Sequence, residues 1–225
     1  MKLQTKIFIV TSFTIAMAYL ESAIVIYLRE LYYPNGFTFP LKLIPDKILL
    51  IELGREFATI IMLLTVAIIA GRVFAERVCY FLFSFGVWDI FYYIWLKVFI
   101  NWPDSLFTDD LLFLIPVPWI SPVLAPILVS IVFIAFSVST LKKIEFGLNI
   151  KFDKINFVLI LLGVALILIS FVWNFEKRLN SVSPVEFIWI VFICGLVLMS
   201  IGLFRFDGKM NNEKSISRKD AETQS

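Results

Sequence analysis

The sequence predicts an all-α integral membrane protein, a six-transmembrane helix bundle with a short interfacial or re-entrant segment between the third and fourth spans. Hydrophobic residues make up 60% of the 225 positions, and the mean hydropathy of +0.91 is far from the balance of a soluble domain. Several apolar runs are long enough to cross a hydrocarbon core of about 30 Å. Lys and Arg are concentrated between alternate runs, as expected when successive loops lie on opposite sides of a membrane.

The bundle is predicted as one domain over residues 1–206. In its first apolar run only Glu21 interrupts the hydrophobic residues. A signal peptide is the alternative, because Lys2 and Lys6 precede the run and residues 16–18 resemble a cleavage site. The run continues well past residue 18, which favours a membrane span. The six predicted spans are residues 7–28, 49–71, 78–100, 122–141, 155–175 and 184–206.

The segment that follows the third span differs from the apolar runs on either side of it. Thr108 can cap a short helix whose first turn holds Asp109 and Asp110, where the helix dipole favours negative charge. The prolines that follow make this helix too short to span, so it is expected to fold over the outer mouth of the bundle. Ser121 is predicted to cap the fourth span, with Pro122 in its first turn.

Beyond the fourth span, residues 142–154 alternate apolar with polar side chains. This pattern predicts either a short strand or an extended segment that lies on anionic lipid. Ser183, Pro184 and Glu186 are typical of a helix start and predict the beginning of the sixth span. The polar tail, residues 207–225, is predicted to be disordered and cytoplasmic.

The distribution of cations predicts that both termini are cytoplasmic, and the protein is predicted to lie in the cell (inner) membrane. With six spans, thirteen Lys and Arg residues fall in cytoplasmic segments and five in outer ones, in accordance with the positive-inside rule. The five outer cations are Arg29, Lys42, Lys47, Lys177 and Arg178.

Charged residues within the first three spans predict a buried site. Glu52, Arg55 and Glu56 share one helix face, and Asp89, Tyr93 and Lys97 share another. At a rise of 1.5 Å per residue, the carboxyl groups lie roughly 5 to 13 Å below the outer boundary of the hydrocarbon core. The predicted substrate- or ion-binding residues are Glu21, Glu52, Arg55, Glu56, Asp89, Tyr93 and Lys97, under an outer cap that contains Asp104, Asp109 and Asp110.

The absence of histidine excludes several classes of chemistry. Haem held by a proximal His, zinc held by His and nucleophiles activated by His all require a residue that this sequence lacks. No cofactor is expected, apart from Mg²⁺ or Ca²⁺ on oxygen ligands. Cys79 and Cys194 both lie in apolar runs and are predicted to be buried structural thiols. The basic residues lie beside spans, which does not favour nucleic acid as a partner.

Three functions from different classes are consistent with the charged cluster. Four carboxyl groups against two cations leave excess negative charge, which favours a small transporter or binding site for a cation or polar solute. In the second hypothesis the cluster only pairs helices, and the protein is a structural or assembly subunit that recognises another membrane protein through an aromatic outer face. In the third, the carboxylates hold a divalent metal in a membrane-embedded enzyme. The aromatic face would contain Trp88, Trp95, Trp102 and Trp119.

Overall fold

A computed structural model gives the fold and describes residues 1–34, 37, 45–115, 117–173, 175–180, 186–205 and 207–210. These residues are mostly helical and form seven helices and four short strands. The helices are α1 (Leu3–Tyr32), α2 (Asp46–Ala70), α3 (Phe74–Ile100), α4 (Leu124–Glu145), α5 (Lys154–Val172), α6 (Phe175–Asn180) and α7 (Trp189–Phe204). The strands are β1 (Asp109–Phe113), β2 (Trp119–Pro122), β3 (Leu148–Lys151) and β4 (Asp207–Met210).

Five of the described helices, α1 to α5, are long and apolar enough to cross a membrane. This confirms the prediction of a helical, membrane-embedded protein. The helix at the position of the predicted sixth span, α7, has 16 residues and is about 24 Å long, which is less than the core thickness of about 30 Å. The predicted start of that span at Ser183 and Pro184 lies outside the described residues.

The segment between α3 and α4 is a β-hairpin, so the short helix predicted after Thr108 is wrong. Strand β1 pairs antiparallel with β2, and Asp110 lies opposite Ser121 in the register. The hairpin pairs the backbone groups of both strands with one another, while the Asp110 side chain forms an ion pair instead of stabilising a helix N-terminus. Ser121 and Pro122 end β2, and α4 begins at Leu124, so the predicted cap of the fourth span is also wrong.

Helix α3 lies at the centre of the bundle, where it packs against α1, α2 and α4. Its contact with α4 is close because Gly86 has no side chain, and a Cβ atom there would lie 2.7 Å from the carbonyl oxygen of Ser130. Helix α3 ends where Asn101 adopts a left-handed conformation (φ 51°), which Asn tolerates better than most residues. We call this end of the bundle, with β1 and β2, the hairpin end.

The opposite end of the bundle holds the start of α1 and the ends of α2 and α4. Lys6 Nζ donates a hydrogen bond to the Ala70 carbonyl oxygen (2.8 Å), and the Leu3 amide donates to Glu145 (3.3 Å). Strand β3 confirms the strand predicted within residues 142–154, and it pairs with β4. Since β4 begins at Asp207, the first residues of the predicted disordered tail form a strand instead, whereas residues 211–225 lie outside the described residues.

Candidate functional site

A cavity of about 550 Å³ lies toward the hairpin end, between α1, α2, α3 and the hairpin, and continues toward α4, α5 and α7. Its volume falls within the range of about 300–1,000 Å³ that is common for small-molecule sites. The polar and charged residues that line it are Glu21, Arg29, Asp46, Glu52, Arg55, Glu56, Asp89, Tyr92, Tyr93 and Asp110.

The structure brings most of the predicted site residues to this one cavity and leaves others outside it. Six of the seven predicted binding residues line it, and the seventh, Lys97, does not. The Lys97 ammonium instead donates hydrogen bonds to the carbonyl oxygens of Asn101 (3.2 Å) and Pro103 (2.9 Å), beyond the end of α3. Of the predicted cap residues, Asp110 lines the cavity, whereas exposed Asp104 and half-buried Asp109 are not among the described lining residues.

Arg55 joins α2 to α1. Its guanidinium forms an ion pair with Glu21, and its Nε donates a hydrogen bond to Glu52 Oε2 at 2.8 Å. The Thr59 hydroxyl, one turn further along α2, donates to the second oxygen of Glu21 at 3.1 Å. Arg55 therefore neutralises part of the charge on two carboxylates, and among the described residues it forms no ion pair with Glu56 or Asp89.

Glu56 joins α2 to the hairpin. The backbone amide of Leu114, directly after β1, donates to both carboxylate oxygens of Glu56, each at 3.0 Å. The Glu56 side chain is buried, with 5% of the residue exposed. An amide hydrogen bond orients a carboxylate without neutralising its charge, so the negative charge of Glu56 still needs a compensating group.

Asp89 joins α3 to α4. Its Oδ2 accepts a hydrogen bond from the Ser130 hydroxyl at 2.8 Å, close to the point where Gly86 allows the two helices to approach. Asp89 is buried, and within the described part of the chain it forms no ion pair with Lys or Arg. Among the described residues, Asp89 and Glu56 are thus the two buried lining carboxylates that lack a cationic partner.

Arg29 is a charged lining residue that the sequence prediction places in an outer loop; Asp46 and Tyr92 also line the cavity and were not predicted to do so. It is buried in the last turns of α1, and its Nη2 donates to Asp110 Oδ1 at 3.1 Å. The guanidinium also lies over two aromatic rings, 3.8 Å from the ring centroid of Trp102 and 4.5 Å from that of Phe37. The polar stripe of Thr14, Ala18 and Glu21 on α1, if continued by two turns, would have predicted an inward position for this residue.

Asp110 lies outside the membrane-spanning helices, and only 2% of it is exposed. Burial raises the pKa of its carboxyl group above the ordinary value, while the Arg29 guanidinium and the Leu111 amide oppose this rise. The ion pair with Arg29 holds β1 against the end of α1. The hairpin is therefore fixed to the bundle at two points, to α1 through Asp110 and to α2 through Glu56.

The tryptophans predicted to form an outer aromatic face lie mainly inside. Trp88 lines the cavity with 5% of its surface exposed, Trp119 also lines it, and Trp102 is buried beneath Arg29. Trp88 and Trp102 therefore offer little surface to a partner, whereas half-buried Trp95 stacks on Phe99. Among the residues that the structure describes, the indole N–H groups of Trp88 and Trp119 have no acceptor.

The structure separates the two cysteines and gathers no metal ligands among the described residues. Cys79 is buried as predicted, whereas Cys194 is exposed on α7, so the expected pair of buried thiols is wrong in its second member. Within the described ranges, no three Asp, Glu or Cys residues are grouped in a way that could hold a metal ion.

A comparison of this chain with protein-family models, with curated proteins and with solved structures finds no match.

Proposed function

We propose that the protein is a small transporter whose cavity binds a cationic or polar solute. The observation that carries this proposal is the charge balance of the lining, where five buried or half-buried carboxyl groups face two guanidinium groups. Both guanidinium groups are already ion-paired, so Glu56 and Asp89 retain the excess negative charge. The five carboxyl groups belong to Glu21, Glu52, Glu56, Asp89 and Asp110.

A cationic solute would stabilise this arrangement for a simple electrostatic reason. A charge near the centre of a membrane helix costs at least about 2.5–3.5 kcal/mol unless a partner or water compensates it. Where a carboxylate accepts hydrogen bonds but has no counter-ion, the hydrogen bonds offset only part of this cost. A bound cation supplies the missing positive charge. Its release leaves the carboxylates uncompensated again, which favours binding of another cation.

We propose further that the cavity opens to the outer side of the cell (inner) membrane and that α7 forms the sixth span. The thirteen-to-five distribution of Lys and Arg supports this orientation, because the hairpin end then faces outward. Exposed Asp46, which also lines the cavity, would lie at its outer mouth. Cysteine accessibility at positions 2 and 104, measured in intact cells, tests the orientation: only position 104 should react with an impermeant reagent.

A structural or assembly role is the second candidate, and one observation favours it. Each of the five carboxyl groups forms at least one hydrogen bond or ion pair. This contact joins two elements of the fold or, for Glu52, two neighbouring turns of one helix. The pairs are Glu21 with Arg55 and Thr59, Glu52 with Arg55, Glu56 with Leu114, Asp89 with Ser130, and Asp110 with Arg29.

The two candidates are distinguished by uptake into liposomes that contain the purified protein. The solutes are labelled methylammonium, tetraethylammonium and 4-phenylbutylammonium, with acetate and glycerol as anionic and neutral controls. Transport predicts saturable uptake of at least one cation, and loss of that uptake in Glu56→Gln and Asp89→Asn. Both variants can still accept the hydrogen bonds from Leu114 and Ser130, so both are expected to stay folded.

Glu30→Gln is the matched control, because exposed Glu30 on α1 is not among the described lining residues. It should transport as the parent does. If the folded protein takes up none of the three cations, the transport proposal is overturned. If Glu56→Gln and Asp89→Asn lose folded protein rather than uptake, the structural role is favoured instead.

A further inference from the structure

The cavity has two chemically different parts. Its carboxyl groups all come from α1, α2, α3 and the hairpin. The described residues that α4, α5 and α7 contribute to the lining are all apolar, and we call this part the apolar lobe. Its members include Val129, Phe133, Val164, Leu168, Phe171 and Met199.

An inorganic cation or a small ammonium ion would use only a minor part of this space. The whole cavity measures about 550 Å³, which is sufficient for a small organic molecule. If only water filled the apolar lobe, its apolar surface would remain hydrated, and the favourable free energy of burying that surface against a ligand would not be gained. The shape of the cavity therefore favours a ligand with a hydrocarbon body.

Aromatic side chains add to the apolar surface of the lining. Trp88, which is 95% buried, and Phe113 both line the cavity. Aromatic rings bury a large apolar area when they contact an organic molecule.

We infer that the ligand is an amphipathic organic cation, with its charged group between Glu56 and Asp89 and its hydrocarbon body in the apolar lobe. This inference rests on the proposed cation-binding function and names the class of its solute. The aromatic rings of Trp88 and Phe113, 6.2 Å apart, provide additional surfaces that attract an alkylammonium group.

The test measures affinity as a function of hydrocarbon length. Tetramethylammonium and the butyl-, hexyl- and octyltrimethylammonium ions are titrated against the protein in nanodiscs by tryptophan fluorescence, and protein-free nanodiscs are used to correct for partition into lipid. Burial of each added methylene group should increase the affinity about fourfold, equivalent to about 0.8 kcal/mol, until the lobe is filled. An affinity that does not depend on chain length would overturn the inference while leaving cation binding intact.

A pair of matched variants locates the hydrocarbon chain. Val164→Phe adds volume inside the lobe, whereas Val158→Phe adds the same volume at an exposed position on the same helix. The first should lower the affinity for octyltrimethylammonium at least tenfold and leave tetramethylammonium unchanged, and the second should change neither. Equal behaviour of the two variants would contradict a chain in the lobe.

A photolabel covers the case in which Val164→Phe does not fold. An alkyltrimethylammonium ion with a diazirine at the end of its chain should label peptides of α4, α5 or α7 around Phe133, Phe171 or Met199 in the parent protein. Excess octyltrimethylammonium should prevent this labelling. Labelling confined to exposed residues such as Leu161 would overturn the inference. Binding without uptake in liposomes would instead contradict the transport proposal alone.

Discussion

Both carboxylate oxygens of Glu56 lie 3.0 Å from the backbone nitrogen of Leu114, so a side chain within a membrane helix holds the hairpin in place. Leu114 directly follows β1, where its amide is not part of the strand pairing with β2. A buried amide without an acceptor is costly, and Glu56 removes that cost. The charge that lines the cavity and the contact that closes the hairpin over it therefore belong to the same residue.

The hydrogen bond to Leu114 predicts different outcomes for two substitutions of Glu56. Glu56→Ala removes the acceptor, whereas Glu56→Gln retains one carbonyl oxygen for it. Loss of a hydrogen bond to a charged group costs about 1.5–3 kcal/mol, so Glu56→Ala should lower the melting temperature and increase amide exchange at residues 111–114. Glu56→Gln should preserve most of the protection. Equal protection in the alanine variant would show that Glu56 does not hold the hairpin.

The sequence was sufficient to predict the helices and the level of the charged cluster because both depend on local pattern. Hydropathy located all five long helices within a few residues of their observed bounds. Spacing along α2 and α3 placed Glu52, Glu56 and Asp89 on inward faces, and these residues do line one cavity. Such faces follow from helical periodicity alone.

The parts that were not predicted depend on contacts between distant residues. The hairpin was mistaken for a helix because Thr108, Asp109 and Asp110 form a good helix start locally, while the pairing of β1 with β2 is a tertiary feature. Arg29 was assigned to a loop because its position after an apolar run is also that of a membrane-flanking cation. The contact with Asp110, 81 positions away, is a tertiary feature that the local sequence does not show.

Arg55 is predicted to be the cation on which the stability of the α1–α2 contact depends. Arg55→Ala leaves Glu21 and Glu52 without their cation, and removing one partner of a buried pair costs about 3–5 kcal/mol. The melting temperature should fall strongly. A triple variant that also carries Glu21→Gln and Glu52→Gln should recover part of the loss, since positions 21 and 52 then carry no charge that needs the guanidinium. An unchanged melting temperature in Arg55→Ala would contradict this role.

The pair of Arg29 and Asp110 predicts a pH dependence. Because burial raises the pKa of Asp110, the folded state holds the proton more tightly than the unfolded state. This stabilisation is fully present below the ordinary Asp pKa of about 3.9 and is lost as the pH rises through the raised value. Arg29→Ala removes the group that opposes the rise, so its loss of stability should be larger at pH 8 than at pH 5.

Melting curves of the parent, Arg29→Ala and the double variant Arg29→Ala with Asp110→Asn test this expectation between pH 5 and pH 8. The double variant has no carboxyl group at position 110, so it should lose the additional pH dependence that Arg29→Ala acquires. If the pH dependence persists in the double variant, a group other than Asp110 is responsible.

The contact between α5 and α7 depends on two facing glycines, and it predicts a large effect from one methyl group. A Cβ atom on Gly163 would lie 2.6 Å from the carbonyl oxygen of Gly195, and one on Gly195 would lie 2.8 Å from that of Gly163. The atoms that a new methyl group would meet include backbone atoms of the facing helix, which cannot rotate away as a side chain could. Gly163→Ala must therefore push the two helices apart, at a cost of about 1–3 kcal/mol.

Gly54→Ala is the matched control, because nothing lies within 4 Å of a Cβ atom at that position on α2. It should stabilise α2 by up to about 1 kcal/mol through helix propensity. Thermal melting should therefore shift in opposite directions for the two alanines, and a Gly163→Ala protein as stable as the parent would show that α5 and α7 do not pack through these glycines.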